Sequence, residues 1–217
     1  MRSLNTAIAV EGSSDESFFR PLVLRVLSDI AEMWPGRGFR VAEPLVFRRG
    51  PDTWSTLCRE FCNSSANLDL AFFHYDGTSR PEREAKKCWE PMLREWERVP
   101  GGKPLLQQLV PIREMESWAL ADLAAVNRLV GRDVGSSRIF EAGYLPKVER
   151  LSDPKRTLTD ALRSGRRRSD SVHLHLQTLA ERASLTKLQS VPSFDEWHTE
   201  TVAGLRKLGF IESGGKK

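Results

Sequence analysis

The sequence predicts an α/β fold, a mostly parallel central sheet flanked by helices, with a helical C-terminal extension. Three observations carry this. Short apolar runs of strand length at residues 7–10, 68–73 and 105–110 alternate with longer stretches of helical period. Each run ends in acid at a turn: Glu11 before Gly12, Asp76 before Gly77, and Glu114 with Glu116 after Pro111. The order strand, helix, strand, helix implies parallel pairing with helices on both faces. Residues 1–130 are expected to form the α/β domain and residues 131–217 the extension packed on it.

The first strand lies within residues 4–10. Gly12 then permits a sharp turn. Ser13 with Glu16 three residues on reads as a capping box. It opens a helix whose apolar positions include Phe19, Leu22, Val23, Val26, Ile30 and Met33, with Pro21 early in it. Residues 39–47 alternate and read as a second strand. Residues 52–63 read as a helix capped by Asp52. Cys58 and Cys62 lie four apart on it and read as small buried residues rather than metal ligands. Residues 68–73 are the strongest strand signal. Residues 81–99 read as one long charged helix with Pro81 in its first turn. After the strand at 105–110, residues 118–130 read as one helix, polar only at Asp122, Asn127 and Arg128, and so mostly buried.

The last third reads as helices joined by loops. Residues 131–143 are loop-like and residues 145–151 short and irregular. Asp153 caps a helix with Pro154 at its first position, running to about residue 163. A basic loop at 164–169 follows, then a helix over 171–183. On that helix His173 and His175, two apart, point in different directions. A last helix spans 192–208, and residues 211–217 read as a frayed tail.

Composition narrows the classes. The chain has 217 residues, 40% of them hydrophobic, and a net charge of +4. That permits a polyanionic partner without demanding one. Three cysteines, an odd number with no C-x-x-C, suggest neither a disulfide framework nor a zinc ribbon. A reducing cytoplasm is expected. No apolar signal core and no apolar run near ~18 residues appear, so neither secretion nor membrane spanning is expected.

The acids carry the chemistry. Taken singly, Glu11 reads as a solvated turn residue and Glu116 as an acid favouring a helix N-terminus. Taken together, they stand at strand ends that are neighbours in a parallel sheet. Carboxylates converging on one rim repel unless a cation sits among them. Hard oxygen ligands of this kind suit Mg²⁺ or Mn²⁺, and ions so held serve phosphoryl-transfer chemistry.

The order Val10-Glu11-Gly12-x-x-Asp15-Glu16, then an Asp after a later apolar strand, then Glu114-x-Glu116-x-Trp118-x-x-Ala121-Asp122, resembles the TOPRIM superfamily. More narrowly, it is similar to a family of compact bacterial TOPRIM-like proteins. These are related to the nuclease domains of the overcoming-lysogenisation-defect (OLD) proteins. The likeness extends to Leu145-Pro146-Lys147 and Asp153-Pro154-Lys155. It implies a Rossmann-like TOPRIM domain and a metal-dependent nuclease acting on DNA or RNA. It also implies an ATPase partner and a place in anti-phage defence, and it allows a homo-oligomer. By this likeness Glu11 is a metal ligand or general acid/base, and Asp76 is the first acid of an Asp-x-Asp pair whose second position is Thr78. Set one step earlier, the pair has His74 in place of its first acid. Either way the pair is incomplete, and Glu114 and Glu116 could supply compensating ligands. Lys155 or Lys147 would offset charge at the scissile phosphate. Arg80, Arg166, Arg167 and Arg168 would contact the nucleic-acid backbone. The incomplete pair leaves an alternative: a catalytically degenerate subunit that binds and regulates the ATPase. A second likeness, of residues 74–78 to the Asp-x-Asp-Gly-Thr start of haloacid-dehalogenase-type phosphatases, has His74 where the nucleophile would stand.

Overall fold

The structure, a computed structural model, describes residues 2–34, 38–48, 54–64, 67–101, 103–134, 145–164 and 171–212. It is an α/β fold with helices on both faces of a parallel sheet. Four strands pair in the order β4-β2-β5-β6: β4 (Leu45–Arg48), β2 (Thr6–Val10), β5 (Leu70–His74) and β6 (Leu105–Leu109), every pair parallel. A second parallel pair joins β1 (Arg2–Leu4) to β3 (Phe39–Val41). The expected single strand over 39–47 is thus two short strands. Pro44, which lacks an N–H and cannot donate to a ladder, stands in the gap.

Alternation along the strands divides the core. Ile8, Val10, Leu70 and Phe72 pack on one face with α1 (Ser13–Met33), α5 (Met115–Ala119), α8 (Val172–Arg182) and α10 (Pro192–Lys207). Ala7, Ala9, Ala71 and Phe73 face the other way. They meet Leu57, Cys58 and Phe61 of α2 (Trp54–Asn63) and Met92 and Trp96 of α4 (Trp89–Arg98). A period of two in buried strands therefore serves two cores at once.

The expected helix over 81–99 is two, α3 (Pro81–Lys87) and α4, broken at Cys88. Pro91 explains the break. It lacks an N–H and its ring would clash with the carbonyl of Lys87, so it is tolerated only in a first turn. The expected helix over 118–130 is also two, α5 and α6 (Leu123–Val130). Asp122 separates them, its side chain accepting the backbone N–H of Ala124 and Ala125. At α1 the expected Ser13–Glu16 box is not formed. Gly12 is the N-cap, Asp15 accepts its N–H at 2.9 Å, and Glu16 pairs with Arg48. Gly12 itself has a φ of −145°, which any residue adopts, so the turn there does not require glycine.

In the last third, residues 145–150 form a 3-10 helix, Leu145–Arg150, where an irregular segment was expected. Asp153 caps α7 (Pro154–Arg163) and Ser171 caps α8. A short helix, α9 (Leu185–Gln189), precedes α10. The expected cap Asp52, most of the loop at 131–143 and residues 213–217 lie outside the described residues. Among the described residues, no helix is long and apolar enough to cross a membrane.

Candidate functional site

Three neighbouring strands open onto one edge. Ala9 stands beside Phe73, and His74 beside Leu109, so the chain leaves β2, β5 and β6 side by side. From β2 the chain passes through α1 to β4 on one side. From β4 it returns through α2 to β5 on the other. The winding therefore reverses between β2 and β5, and in open α/β sheets that crevice, at the carboxyl ends, is the ligand site. Glu11 leaves β2 exposed at this rim, Asp76 follows β5 by two residues, and Glu114 and Glu116 follow β6.

A backbone strap fixes the β5 and β6 loops together. Gly77 donates its N–H to the Pro111 carbonyl at 2.9 Å, Thr78 donates to Arg113, and Arg113 donates back to Thr78. A Cβ on Gly77 would stand 3.0 Å from the Pro111 oxygen and 3.2 Å from Val110, so any side chain there would push the two loops apart by a few tenths of an ångström. Thr78 and Arg113 pay with positive φ, +51° and +72°. For a β-branched residue that costs on the order of 1–3 kcal/mol and persists only where neighbours enforce it. The Thr78 hydroxyl accepts the Arg80 N–H at 3.2 Å, so the candidate second-position ligand already serves its own turn.

His74 is buried at the end of β5, with Phe19 against its ring at 4.4 Å between centroids. Its Nδ1 lies 2.9 Å from the Leu109 carbonyl. Its Nε2 lies 3.7 Å from Asp15 and 3.8 Å from Asp76, within ion-pair reach but beyond hydrogen-bond length. Among the described residues, both this Nε2 and the facing Asp76 Oδ1 are buried without a hydrogen-bond partner.

The charges are felt across the cluster. Burial pushes the Asp76 carboxyl up to about 7. His74 pulls against it, and Asp15, Glu11 and Glu116 add to it. Burial also raises Glu116, as do Glu114 and Asp15, while its own backbone N–H and Lys155 oppose the rise. Burial would raise Asp15 too. His74 and the backbone N–H groups of Gly12 and Glu11 outweigh it and hold Asp15 low. For His74, burial pulls down, but Asp15, Asp76 and the Leu109 carbonyl more than reverse it, so the net direction is up.

Glu114 has a structural task. As N-cap of α5 it makes no cap bond of its own, and its Oε2 accepts the N–H of Lys155 in the first turn of α7 at 3.2 Å. This brings exposed Lys155 beside Glu116. Lys147 stands exposed on the 3-10 helix and Arg80 exposed before α3. Arg166, Arg167 and Arg168 lie outside the described residues. Asp15 is the member of the cluster that the sequence places in a motif and at a helix start but to which it assigns no role in the site. The usable signal was its place at the third position of a helix that begins immediately after a strand end, where an acid turns back toward that end. Among the described residues, no three His, Cys, Asp or Glu side chains already stand in position to hold a metal ion.

No family model and no curated protein matches the chain. Its structure is similar to the C-terminal region of the OLD protein of Xanthomonas campestris pv. campestris. The TM-score is 0.40 and the identity 15%, over 91% of this chain and 96% of that one.

Proposed function

We propose that the chain is a nuclease that hydrolyses phosphodiesters of DNA or RNA with Mg²⁺ or Mn²⁺ held at the rim of β2, β5 and β6. The observation that carries the reading is Asp76. Its carboxyl is driven up to about 7 first by burial and then by Asp15, Glu11 and Glu116. Carboxylates that raise one another in this way are a donor set short of positive charge, and a divalent cation supplies it. The donors are hard oxygens, as Mg²⁺ and Mn²⁺ prefer, and Asp76 Oδ1 has no hydrogen bond among the described residues to give up.

In this reading Asp76, Glu11 and Glu116 hold the cation, with Asp15 beside them. When bound, a divalent ion there supplies charge against the phosphate and a more acidic water. Glu11, exposed at the rim, takes the proton from the attacking water. Lys155 faces the same cluster and offsets charge gathering on the phosphate oxygens. Glu114 acts by positioning, because its bond to the Lys155 N–H fixes α7 against the site. Arg80 follows the Asp76 loop and is placed to meet a nucleic-acid backbone. The motif resemblance adds an ATPase partner and anti-phage defence to the proposal.

The test is cleavage of plasmid and single-stranded substrates with Mg²⁺ or Mn²⁺, comparing wild type with Glu11→Gln and Glu116→Gln. Each variant is expected to lose at least ~100-fold of the rate. Undiminished cleavage by both variants would remove the site assignment. A second reading, a non-cleaving subunit that regulates the ATPase, is favoured by the Thr78 hydroxyl's engagement in its own turn. It requires that wild type cleave nothing with either ion, alone or with the partner.

A further inference from the structure

We propose that the open edge of β6, with the acidic cavity beside it, takes an extended basic segment of a partner protein as an added strand. The inference goes beyond the nuclease reading and does not depend on it.

β6 ends one side of the four-stranded sheet, and among the described residues it pairs only with β5. In a parallel pair the N–H and C=O of one residue point the same way, toward the neighbour and away from it at alternate residues. Leu105 donates its N–H to Asp69, and the Pro111 carbonyl accepts from Gly77, both on the β5 side. The odd-numbered positions between them therefore face β5, and Leu106, Gln108 and Val110 turn their backbone groups outward. Ile112 follows the same alternation, since its N–H reaches Ser193 of α10 at 3.4 Å. Unpaired backbone along an edge is a template for another strand.

A cavity of about 200 Å³ lies along this edge, walled by α3 and α10. Val110, Ile112 and Trp197 give it apolar surface, and Glu82, Glu196 and Glu200 give it carboxylates. No Lys or Arg is among its described lining residues, and none of the three glutamates has an ion-pair partner among the described residues. Burial and then Glu196 push the Glu200 carboxyl up. Trp197 is 3% exposed, and its indole N–H has no acceptor among the described residues. A peptide bearing lysine or arginine answers each of these. Its cationic head meets the glutamates, its amide groups pair with β6, and its carbonyls are acceptors for a buried N–H.

Charge selects the occupant. A second copy set edge to edge would bring its own Glu82, Glu196 and Glu200 toward the same three, which is repulsive. Charged flanks of this kind discourage pairing between like edges. A nucleic-acid strand, itself an anion, is repelled too. An extended segment that alternates basic and apolar residues is complementary: backbone bonds supply affinity, and every second side chain enters the cavity. Ile112 lies within the strap that ties the Asp76 loop to the Glu114 loop, so a bound segment also touches the loops that carry the rim.

The experiment follows fluorescence anisotropy of short labelled peptides with the full chain at low salt. The parent peptide alternates lysine with valine. Two derivatives carry N-methyl groups on every second backbone nitrogen, one on the valines and one on the lysines, and a third has glutamate for lysine. An added strand turns only every second N–H toward β6. One methylated peptide is therefore expected to lose at least about tenfold in affinity while the other keeps it. The glutamate peptide is expected to bind at least about tenfold more weakly than the parent. Glu196→Gln combined with Glu200→Gln, both exposed on α10, is expected to weaken the parent by about tenfold. Its melting curve by circular dichroism checks that it folds. Equal affinities for the two methylated peptides would mean that no strand is added, and overturn the proposal. An undiminished affinity in the α10 variant, or an equal loss in Glu11→Gln, would put the peptide elsewhere and overturn it as well. So would no binding at millimolar peptide. A dimer in sedimentation that the peptide dissolves would place a second copy on the edge instead. None of these outcomes touches the nuclease reading, which cleavage alone decides.

Discussion

Asp76 sets the pH response of the site because its half-buried carboxyl, with Oδ1 shut off from solvent, stands among other acids. Its folded value is about 7, against about 3.9 for an unfolded aspartate. Between those values the unfolded chain has released a proton that the folded chain keeps, so stability falls as pH rises from about 4 to 7 and then levels. His74 adds to this in the same direction. Its raised value gives stability that is complete below about 6.5 and is lost as pH climbs through the folded value. The two titrate together, so the slope belongs to the pair. The Asp76 side chain is 38% exposed, and solvent screening reduces its share to ~1 kcal/mol, or about 2–4 °C in melting temperature for a chain of this size. Asp76→Asn in EDTA is therefore expected to melt higher than wild type at pH 8 and to gain little at pH 5. Parallel melting curves for the two proteins across that range would show that the carboxyl is not under this strain.

Short helices beside the site are held by side chains rather than by their own length. α5 has five residues, too few to be stable alone. Its Ser117 hydroxyl lies within 2.9 Å of the Ile112 and Glu114 carbonyls, and its Trp118 indole donates to Ser193 of α10 at 2.8 Å. Asp122 does more. Its buried carboxylate accepts the N–H groups of Ala124 and Ala125 at the start of α6. It also accepts the N–H of Ser184 at the start of α9 and the Lys187 ammonium at 2.8 Å. Asp122→Ala removes a cap and a charged hydrogen-bond set, and is expected to cost about 2–4 kcal/mol in urea unfolding. A loss below ~1 kcal/mol would mean that water replaces the carboxylate freely. This is also where the sequence was hardest to read. An apolar run over 118–130 looks continuous because periodicity registers burial, not the acid that turns two helices within it. Pro91 was legible in principle as the break between α3 and α4. Asp15 was visible as an acid in the first turn, but its meeting with His74 depends on β5 lying beside β2.

At the scale of the whole molecule, the apolar runs 7–10, 68–73 and 105–110 carry the parallel fold class plainly, since each is long enough for a strand and too short for a buried helix. Their order does not follow from them. Whether β5 lies next to β2 is settled by which faces α1 and α2 cover, and that depends on partners supplied late in the chain. Phe72 packs edge-on against Trp197 at 5.7 Å, Trp118 against Phe194 at 5.0 Å, and Arg25 reaches the Ala180 carbonyl. A Cβ on Gly204 would meet Gln107 at 2.7 Å, which shows how closely α10 lies on β6. The core on this face runs unbroken from Ile8 through Trp118 to Phe194 and Leu205. The last helices therefore complete the layer that β2, β5 and α1 begin. A chain ended after Arg163 would leave Phe72, Trp118 and the inner side of α1 facing water. Burial of a large side chain is worth roughly 1.5–3 kcal/mol, so losing several exceeds the ~5–15 kcal/mol by which a domain is stable. The truncated chain is expected to show no cooperative thermal transition by circular dichroism and to bind a hydrophobic dye. A sharp transition near that of the full chain would mean that the sheet and α1 form a self-sufficient unit and that α8–α10 are an appendage.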